Sequence, residues 1–135
     1  MKKNQSFSWT RRAKSFSHAI RGLIDMISTE HNAWIHALAT VVVIALSCWF
    51  RITTIEFAFI LNSIILVWIA EAFNTVLEIM ADLVVGERFS RLVKRAKDIA
   101  AAAVLLAVIG AVVIGFFILG PYVTAAWPDF FRLNS

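Results

Sequence analysis

Four polar side chains near the middle of the chain have types and spacing suited to chemistry. They are Glu71, Asn74, Glu78 and Asp82, which follow one another at intervals of three and four residues. On an α-helix, with about 100° of rotation per residue, they fall within an arc of roughly 80° and extend about 16 Å along the axis. The spacing therefore predicts a row of carboxylate and amide oxygens on one helix face. We call this row the acidic stripe, and Thr75 lies at its border.

Oxygen atoms arranged in this way suit Mg²⁺, a hard cation that prefers oxygen ligands. In phosphoryl transfer, Mg²⁺ offsets the charge of the nucleotide phosphates, and a positioned carboxylate accepts the proton of the attacking hydroxyl group. Basic residues that can contact phosphates follow the stripe in sequence: Arg88, Arg91, Lys94, Arg95 and Lys97. The chain has neither a P-loop nor a GxGxxG motif, so a familiar nucleotide-binding loop is not part of this prediction.

A simpler interpretation of the stripe is that its carboxylates extend to the membrane surface or pair with neighbouring Arg and Lys side chains. For Asp82 this alternative stays open. Glu71 directly follows an apolar run, and a charged side chain near the centre of a membrane helix costs at least about 2.5–3.5 kcal/mol. The Glu71 carboxylate is therefore expected to face a protein cavity, a cation or water rather than lipid.

The composition indicates that a lipid bilayer surrounds the helices that carry the stripe. Of the 135 residues, 60% are hydrophobic and 16% are charged, whereas soluble domains carry about 25% charged residues. The apolar residues also form long blocks. The net charge of +4 arises from basic residues beside those blocks, which favours anionic lipids and phosphate-bearing ligands as partners over nucleic acid.

Three apolar blocks are long enough to cross a bilayer, which takes about 20 residues per helix. We predict membrane helices over about 33–50, 55–84 and 97–119. The last is expected to end where Gly120 and Pro121 follow it, because a glycine and then a proline commonly terminate a helix.

The N-terminal segment and the distribution of basic residues complete the predicted architecture. Over about 7–29, apolar residues at helical spacing are interspersed with basic ones, which predicts an amphipathic helix in the membrane interface. Six Lys and Arg residues precede residue 31 and five lie from the end of the second span to the first residue of the third, whereas the first connection and the C-terminal tail carry one each. Because basic loops stay in the cytoplasm, the N-terminus is expected inside and the C-terminus outside a bacterial inner membrane. The expected fold is all-α, a single integral membrane domain over residues 1–135.

Four sequence motifs resemble the prokaryotic diacylglycerol kinase and undecaprenol kinase family. They are EAFNTVLEIMAD (Glu71–Asp82), RAKDIAAAAVLL (Arg95–Leu106), SFSHAIRG (Ser15–Gly22) and TEHNAWIH (Thr29–His36). The resemblance covers about residues 11–120. It implies a homotrimer of three-span subunits with active sites shared between neighbours. It also implies a reaction that uses ATP and Mg²⁺ to phosphorylate a membrane lipid alcohol.

The resemblance implies roles for the acidic residues. Glu71 is similar to the family's catalytic carboxylate, which activates the lipid hydroxyl group. Glu30 and Glu78 resemble the metal ligands, which lie beside the ATP phosphates, and Asn74 and Asp82 resemble supporting residues of the same site. Spacing alone does not single out Glu30, which without the family would be interpreted as a charge at a helix end.

Nucleotide contacts are implied for four further residues, Arg11, His18, Lys97 and Asp98, of which Arg11 resembles a contact to nucleotide or substrate. Lys97 and Asp98 fall at the predicted start of the third span, where free backbone N–H groups also favour anions. The loop over 84–95 is one residue longer than the family's usual form, so no nucleotide contact is assigned to Glu87.

Three hypotheses describe the function of the protein. His36, within TEHNAWIH, resembles the undecaprenol kinase branch and favours undecaprenol as the acceptor, although a lone histidine also suits a polar residue at the interface. The first alternative is diacylglycerol as the acceptor, with phosphatidic acid as the product. The second belongs to a different class, a non-enzymatic membrane subunit in which the acidic stripe forms a cation path. The position of the stripe beside a basic loop argues against such a path.

Overall fold

The chain folds into four α-helices joined by short connections. The computed structural model describes residues 9–86 and 88–132, with side chains up to residue 126. The helices are α1 (Trp9–Thr29), α2 (His31–Trp49), α3 (Thr54–Val85) and α4 (Arg91–Arg132). No β-strand occurs within this part of the chain. The predicted all-α class is confirmed, and both ends of α2 and α3 lie within two residues of the predicted spans.

Three of the helices, α2, α3 and α4, are long and apolar enough to cross a membrane. Most of their large hydrophobic side chains are exposed on the surface of the chain, among them Trp34, Phe59 and Phe116. Only 6% of the most apolar window of α4 is buried within the chain. Because soluble monomers rarely expose continuous apolar surfaces of this extent, lipid or neighbouring subunits must cover these helices. The fold is therefore that of a membrane protein with three apolar helices.

Contacts between helices show that consecutive apolar helices run antiparallel. Helix α4 packs mainly against α3. Near the start of α4, Lys97 contacts Asp82 at the end of α3, and farther along α4, Tyr122 contacts Glu56 at the start of α3. Along α2 the order of contacts with α3 is also reversed, since His36 contacts Glu71 and the later Thr40 contacts the earlier Trp68. The start of α2, the end of α3 and the start of α4 therefore share one end of the bundle, which we call the acidic end. The turn between α2 and α3 lies at the opposite end, which we call the far end.

Helix α4 begins six residues earlier than the predicted span over 97–119. Ser90 caps its N-terminus, since the Ser90 side-chain oxygen accepts a hydrogen bond from the Val93 N–H (3.5 Å) and the Ser90 carbonyl accepts one from the Lys94 N–H (2.9 Å). A serine before the first turn is a common helix start. The charge of this segment suggested a loop, but its basic residues from Arg91 onward are helical.

The same helix continues through Gly120 and Pro121, where the sequence predicted its end. A proline removes one backbone hydrogen bond, but membrane helices tolerate this loss where neighbouring groups compensate. The next residue, Tyr122, donates a hydrogen bond to the Glu56 carboxylate (2.8 Å) and stacks on Phe50 with ring centroids 6.1 Å apart. These contacts stabilise the helical course beyond the proline, so the predicted end is wrong.

One carboxylate organises the far end of the bundle. Glu56 and Thr53 form a capping box at the start of α3, in which the Thr53 hydroxyl oxygen accepts the Glu56 N–H and the Glu56 carboxylate accepts the Thr53 N–H. The same carboxylate oxygen accepts the Tyr122 hydroxyl proton from α4. The start of α3 is therefore tied to α4 on the side of the molecule away from the acidic stripe.

Replacing Thr53 by alanine should lower stability without affecting the acidic end. Loss of a helix cap costs about 1 kcal/mol, so we expect a lower midpoint of thermal unfolding in detergent. A suitable control is Thr54→Ala, which changes the adjacent, exposed threonine in the same way but leaves the capping box intact. Equal unfolding midpoints for the two variants would show that the capping box contributes little.

Helix α1 lies against α2 and α3, and Met26 is its buried residue. Apolar side chains along it, including Phe16, Leu23 and Ile24, are exposed. An exposed apolar face on a helix beside membrane spans is compatible with a position at the bilayer surface. That position stays a prediction.

Candidate active site

The acidic stripe runs along α3 from a buried position to an exposed one. Glu71 is 1% exposed, and Asn74 is also buried. Glu78, two turns beyond Glu71, is half-buried, and Asp82 near the end of the helix is exposed. The four residues predicted from their spacing thus lie on one helix and lead from the protein interior towards the acidic end of the bundle.

Glu71 is surrounded by ionisable groups from two other segments. The Nε2 atom of His36, on α2, lies 3.7 Å from the Glu71 Oε2 atom. Glu30 and Glu78 are close enough to interact electrostatically with Glu71. Three carboxylates near one another repel, and such a cluster requires protons or cations to offset its charge. The structure therefore brings together the three acidic residues to which the family resemblance assigns the base and the metal ligands.

Asn74 connects the buried part of the stripe with the half-buried part. Its Nδ2 atom donates a hydrogen bond to the Glu78 Oε1 atom (3.1 Å). The Asn74 Oδ1 atom, the Glu71 Oε2 atom and the Thr75 Oγ1 atom are buried and make no hydrogen bond within the described protein. Buried polar atoms are nearly always hydrogen-bonded in proteins, so three unsatisfied oxygens within little more than one turn of α3 indicate that a ligand, an ion or water binds here.

Glu30 lies in the break between α1 and α2. It occupies the N-cap position of α2 with an extended backbone, and its side chain makes no capping hydrogen bond. Acidic N-cap residues usually bond to the first free N–H groups of the helix. The half-buried carboxylate of Glu30 instead belongs to the group around Glu71, which is consistent with a ligand role but does not test it.

Lys97 and Asp82 close the acidic end between α3 and α4. The Lys97 Nζ atom lies 2.6 Å from the Asp82 Oδ1 atom, and Lys97 also interacts electrostatically with Glu78. The alternative interpretation of Asp82, a pairing with a basic residue, is therefore present in the structure. This pair holds the Lys97 side chain beside the acidic stripe.

The position of Lys97 and Asp98 differs from the prediction in one respect. Because α4 begins at Arg91, both residues lie nearly two turns inside the helix, where backbone N–H groups are already hydrogen-bonded. The expectation of free N–H groups at Lys97 and Asp98 is therefore wrong. Asp98 is exposed and pairs with Lys94 one turn earlier, at 2.8 Å, so a single chain does not bring it to the stripe.

The other predicted nucleotide contacts lie on α1. Arg11 and His18 are exposed on this helix, seven residues apart and therefore on nearly the same face. Neither assignment is tested by this arrangement. Glu87 lies outside the described residues.

The donor atoms at the acidic end fit a cation that is shared with a phosphate group. Within the described parts of the chain, no three His, Cys, Asp or Glu side chains are arranged to hold a metal ion by themselves. Mg²⁺ rarely needs such a set, because it is usually bound through one or two carboxylates together with substrate phosphates and water. Glu30, Glu78 and the unsatisfied Asn74 Oδ1 atom supply oxygens of this kind. The metal assignment itself stays a prediction.

Two features of the site were not assigned from the sequence. Thr75, placed only at the border of the stripe, is buried and lines a cavity of about 460 Å³ between α1 and α3. His36, which the sequence suggests is either a marker of the acceptor lipid or a polar interface residue, lies beside Glu71. The available signal in the sequence was that His36 follows Glu30 by six residues. Whether His36 then meets Glu71 depends on which face of α2 packs against α3.

An apolar cavity adjoins the buried end of the stripe. It has a volume of about 280 Å³ and is lined by α2, α3 and α4, from His36 to Leu119. Its walls are almost wholly apolar and include small residues such as Ala111 and Gly115. Through His36, which lies beside Glu71, the polar group therefore reaches a space suited to a hydrocarbon chain.

Fold and site together define a small α-helical membrane protein with an acidic site at one end of its spans. The family model of the prokaryotic diacylglycerol kinases matches residues 17–119. The chain therefore belongs to the prokaryotic diacylglycerol kinase family, a family of lipid kinases, and the resemblance seen in its motifs is confirmed.

The individual relatives are named either diacylglycerol kinase or undecaprenol kinase. The chain is 40% identical over 107 residues to a diacylglycerol kinase of Synechocystis, a match that covers 79% of this chain but 61% of that protein. It is 30% identical over 110 residues to the diacylglycerol kinase of Escherichia coli, covering 82% and 89% of the two chains. It is 34% identical over 108 residues to the undecaprenol kinase of Bacillus subtilis, covering 80% and 87%. The relatives thus agree on lipid phosphorylation and differ in the lipid.

Proposed function

We propose that the chain transfers the γ-phosphate of ATP to the hydroxyl group of a membrane lipid, with undecaprenol as the leading acceptor. The observation that carries this proposal is the Glu71 carboxylate, which is buried, lacks a hydrogen-bond partner on Oε2 and lies 3.7 Å from His36, a residue that lines an apolar cavity. A carboxylate in that position can accept a proton from a hydroxyl group whose hydrocarbon chain stays in an apolar environment.

The chemistry assigned to Glu71 is that of a general base. The lipid hydroxyl oxygen forms a bond to the γ-phosphorus, its proton passes to the Glu71 carboxylate, and the bond to the β–γ bridging oxygen breaks to release ADP. When bound by Glu30 and Glu78, Mg²⁺ supplies charge neutralisation for the phosphates. Lys97, which pairs with Asp82 one turn beyond Glu78, supplies a further positive charge on the same side.

The choice of undecaprenol rests on His36 and on one relative. TEHNAWIH resembles the undecaprenol kinase branch, and a relative of that name is 34% identical to this chain. Diacylglycerol is the second candidate, supported by the names of the Synechocystis and Escherichia coli relatives. The comparisons give no support to the non-enzymatic membrane subunit, because these relatives are named as kinases.

The proposed assembly is a homotrimer in a bacterial inner membrane, with the N-terminus in the cytoplasm and the C-terminus outside. Two observations support it. The apolar surface of the three spans is far larger than one chain buries. Arg11, His18 and Asp98, the remaining predicted nucleotide contacts, are exposed in one chain, where a neighbouring subunit's site has access to them.

A substrate panel tests the proposed function. The purified full-length chain in lipid nanodiscs receives labelled ATP and either undecaprenol or diacylglycerol at equal mole fraction, with and without Mg²⁺. We expect Mg²⁺-dependent label transfer to both lipids to be measurable and kcat/KM to be higher for undecaprenol. A higher kcat/KM for diacylglycerol would reverse the order of the candidates. Transfer to neither lipid would refute the kinase proposal.

A further inference from the structure

His36 is the basic side chain that approaches the buried Glu71 carboxylate. Its Nε2 atom lies 3.7 Å from Glu71 Oε2, and the two side chains are 15% and 1% exposed. The other ionisable groups that interact with Glu71, Glu30 before α2 and Glu78 on α3, are carboxylates. A buried carboxylate is costly unless a donor or a positive charge compensates it. Among these groups, only His36 carries N–H donors.

A second pair of side chains holds the imidazole ring in place. Trp68 lies one turn before Glu71 on α3, and its ring meets the His36 ring edge to face, with centroids 6.5 Å apart. Its Nε1–H donates a hydrogen bond to the Thr40 hydroxyl oxygen on α2 (3.1 Å). Thr40 lies one turn after His36, so the hydrogen bond fixes the indole against the same face of α2 that carries the imidazole.

We propose that His36 is a positioning residue for Glu71, and that the Thr40–Trp68 hydrogen bond restricts the imidazole to this role. The neutral imidazole donates its Nε2–H to Glu71 Oε2, which directs the second carboxylate oxygen towards the acceptor hydroxyl group. This inference rests on the proposed function, in which Glu71 accepts the hydroxyl proton. His36 keeps its proton throughout, so the balance of the phosphoryl-transfer step is unchanged.

The separation of 3.7 Å is longer than a hydrogen bond between nitrogen and oxygen, which spans about 2.7–3.2 Å. Hydrogen bonds in catalytic sites are often long before substrate binds and shorten in the complex. We expect a small rotation of the His36 side chain on substrate binding to close this gap of about 0.5–1 Å. The unsatisfied Glu71 Oε2 atom is the acceptor that this rotation would engage.

Two substitutions of His36 test the contribution of its N–H donor separately from that of its flat ring. His36→Phe keeps a flat ring beside Trp68 but removes the donor, whereas His36→Gln retains an N–H donor at a similar distance from the backbone. We expect His36→Phe to lower kcat about 10- to 100-fold with little change in the KM for ATP, the range for a lost hydrogen bond to a charged group. His36→Gln should recover most of this loss. Equal kcat for wild type and His36→Phe would overturn the proposal, as would equal losses in both variants.

The Thr40–Trp68 contact provides a second, milder test. Thr40→Val removes the hydrogen-bond acceptor at nearly constant volume and should lower kcat by less than His36→Phe does. The matched control is Ser63→Ala, also within a span, since among the residues that the structure describes the Ser63 hydroxyl bonds only to carbonyls of its own helix, those of Phe59 and Ile60. A kcat for Thr40→Val no lower than that of Ser63→Ala would remove Thr40 and Trp68 from the proposal.

A spectroscopic measurement detects the contact independently of turnover. The chain has three histidines, so selective ¹⁵N-histidine labelling gives few ring resonances, and the spectrum of His36→Gln identifies those of His36. Glu71→Gln should shift the Nε2 resonance of His36 and leave those of His18 and His31 in place. No shift at His36 would refute the contact.

The failure of this inference differs from the failure of the proposed function. If wild-type protein phosphorylates no lipid, both the kinase assignment and the positioning role are refuted. If wild-type protein is active and His36→Phe turns over at the wild-type rate, only the role of His36 is refuted.

Discussion

Replacing Glu71 by glutamine should lower kcat for lipid phosphorylation by about 10² to 10⁴, the range typical of a lost general base. The glutamine has nearly the same shape, so the change removes the proton acceptor with little effect on packing around a side chain that is 1% exposed. Since a buried charge is also removed, folding should not suffer. The measurement is initial-rate transfer of labelled phosphate at saturating ATP and lipid.

The control for Glu71→Gln is the same chemical change about four turns earlier, in the first turn of the same helix. Glu56→Gln alters the capping box at the far end, so it should lower thermal stability but keep the turnover of folded protein near the wild-type value. If Glu71→Gln turned over within about twofold of wild type, Glu71 would not be the base. Loss of activity in both variants, after correction for folded protein, would indicate a general effect of charge removal on α3.

Replacing Glu78 by glutamine should raise the Mg²⁺ concentration required for half-maximal activity by at least about tenfold. Changes in groups that merely support a metal ligand cost about 10- to 100-fold, and a direct ligand should cost no less. Glu78 is half-buried, accepts a hydrogen bond from Asn74 and interacts with Lys97, so its oxygens lie between the buried stripe and a positive charge. The measurement is a Mg²⁺ titration at saturating ATP and lipid.

The Glu71 and Glu78 variants serve as controls for each other. A base and a metal ligand fail differently, because Glu71→Gln should lower kcat without moving the Mg²⁺ midpoint and Glu78→Gln should move it. Binding gives a readout besides activity, since ATP with Mg²⁺ should raise the unfolding midpoint of wild type and of Glu71→Gln more than that of Glu78→Gln. An unchanged Mg²⁺ titration for Glu78→Gln would contradict its assignment as a ligand.

These two predictions follow from the change along the acidic stripe from a buried to an exposed environment. At its buried end, the Glu71 carboxylate lies beside His36, which lines an apolar cavity that can keep a hydrocarbon chain away from water. At its exposed end, a carboxylate pairs with Lys97, where charged phosphates are accessible. Glu78 lies between the two, which suits a residue that joins the nucleotide to the site of proton transfer.

Much of this arrangement could be predicted from the chain alone, because it depends on local periodicity. The length and apolar character of the blocks predict three helices, since a backbone in hydrocarbon must satisfy its own hydrogen bonds. The intervals between Glu71 and Asp82 place four polar groups on one face of any α-helix that contains them. The family motifs extended this to Glu30, which spacing did not single out.

The other features of the fold and of the site depend on how the helices pack against one another. The continuation of α4 through Pro121 depends on Tyr122 meeting Glu56, two residues 66 positions apart in sequence. The approach of His36 to Glu71 depends on which face of α2 packs on α3, which helical periodicity within α2 leaves open. Local spacing determines which side chains share a face of one helix, whereas packing between helices determines which side chains of different helices meet. The sequence therefore specified the acidic stripe, and only the tertiary structure placed a histidine beside its buried carboxylate.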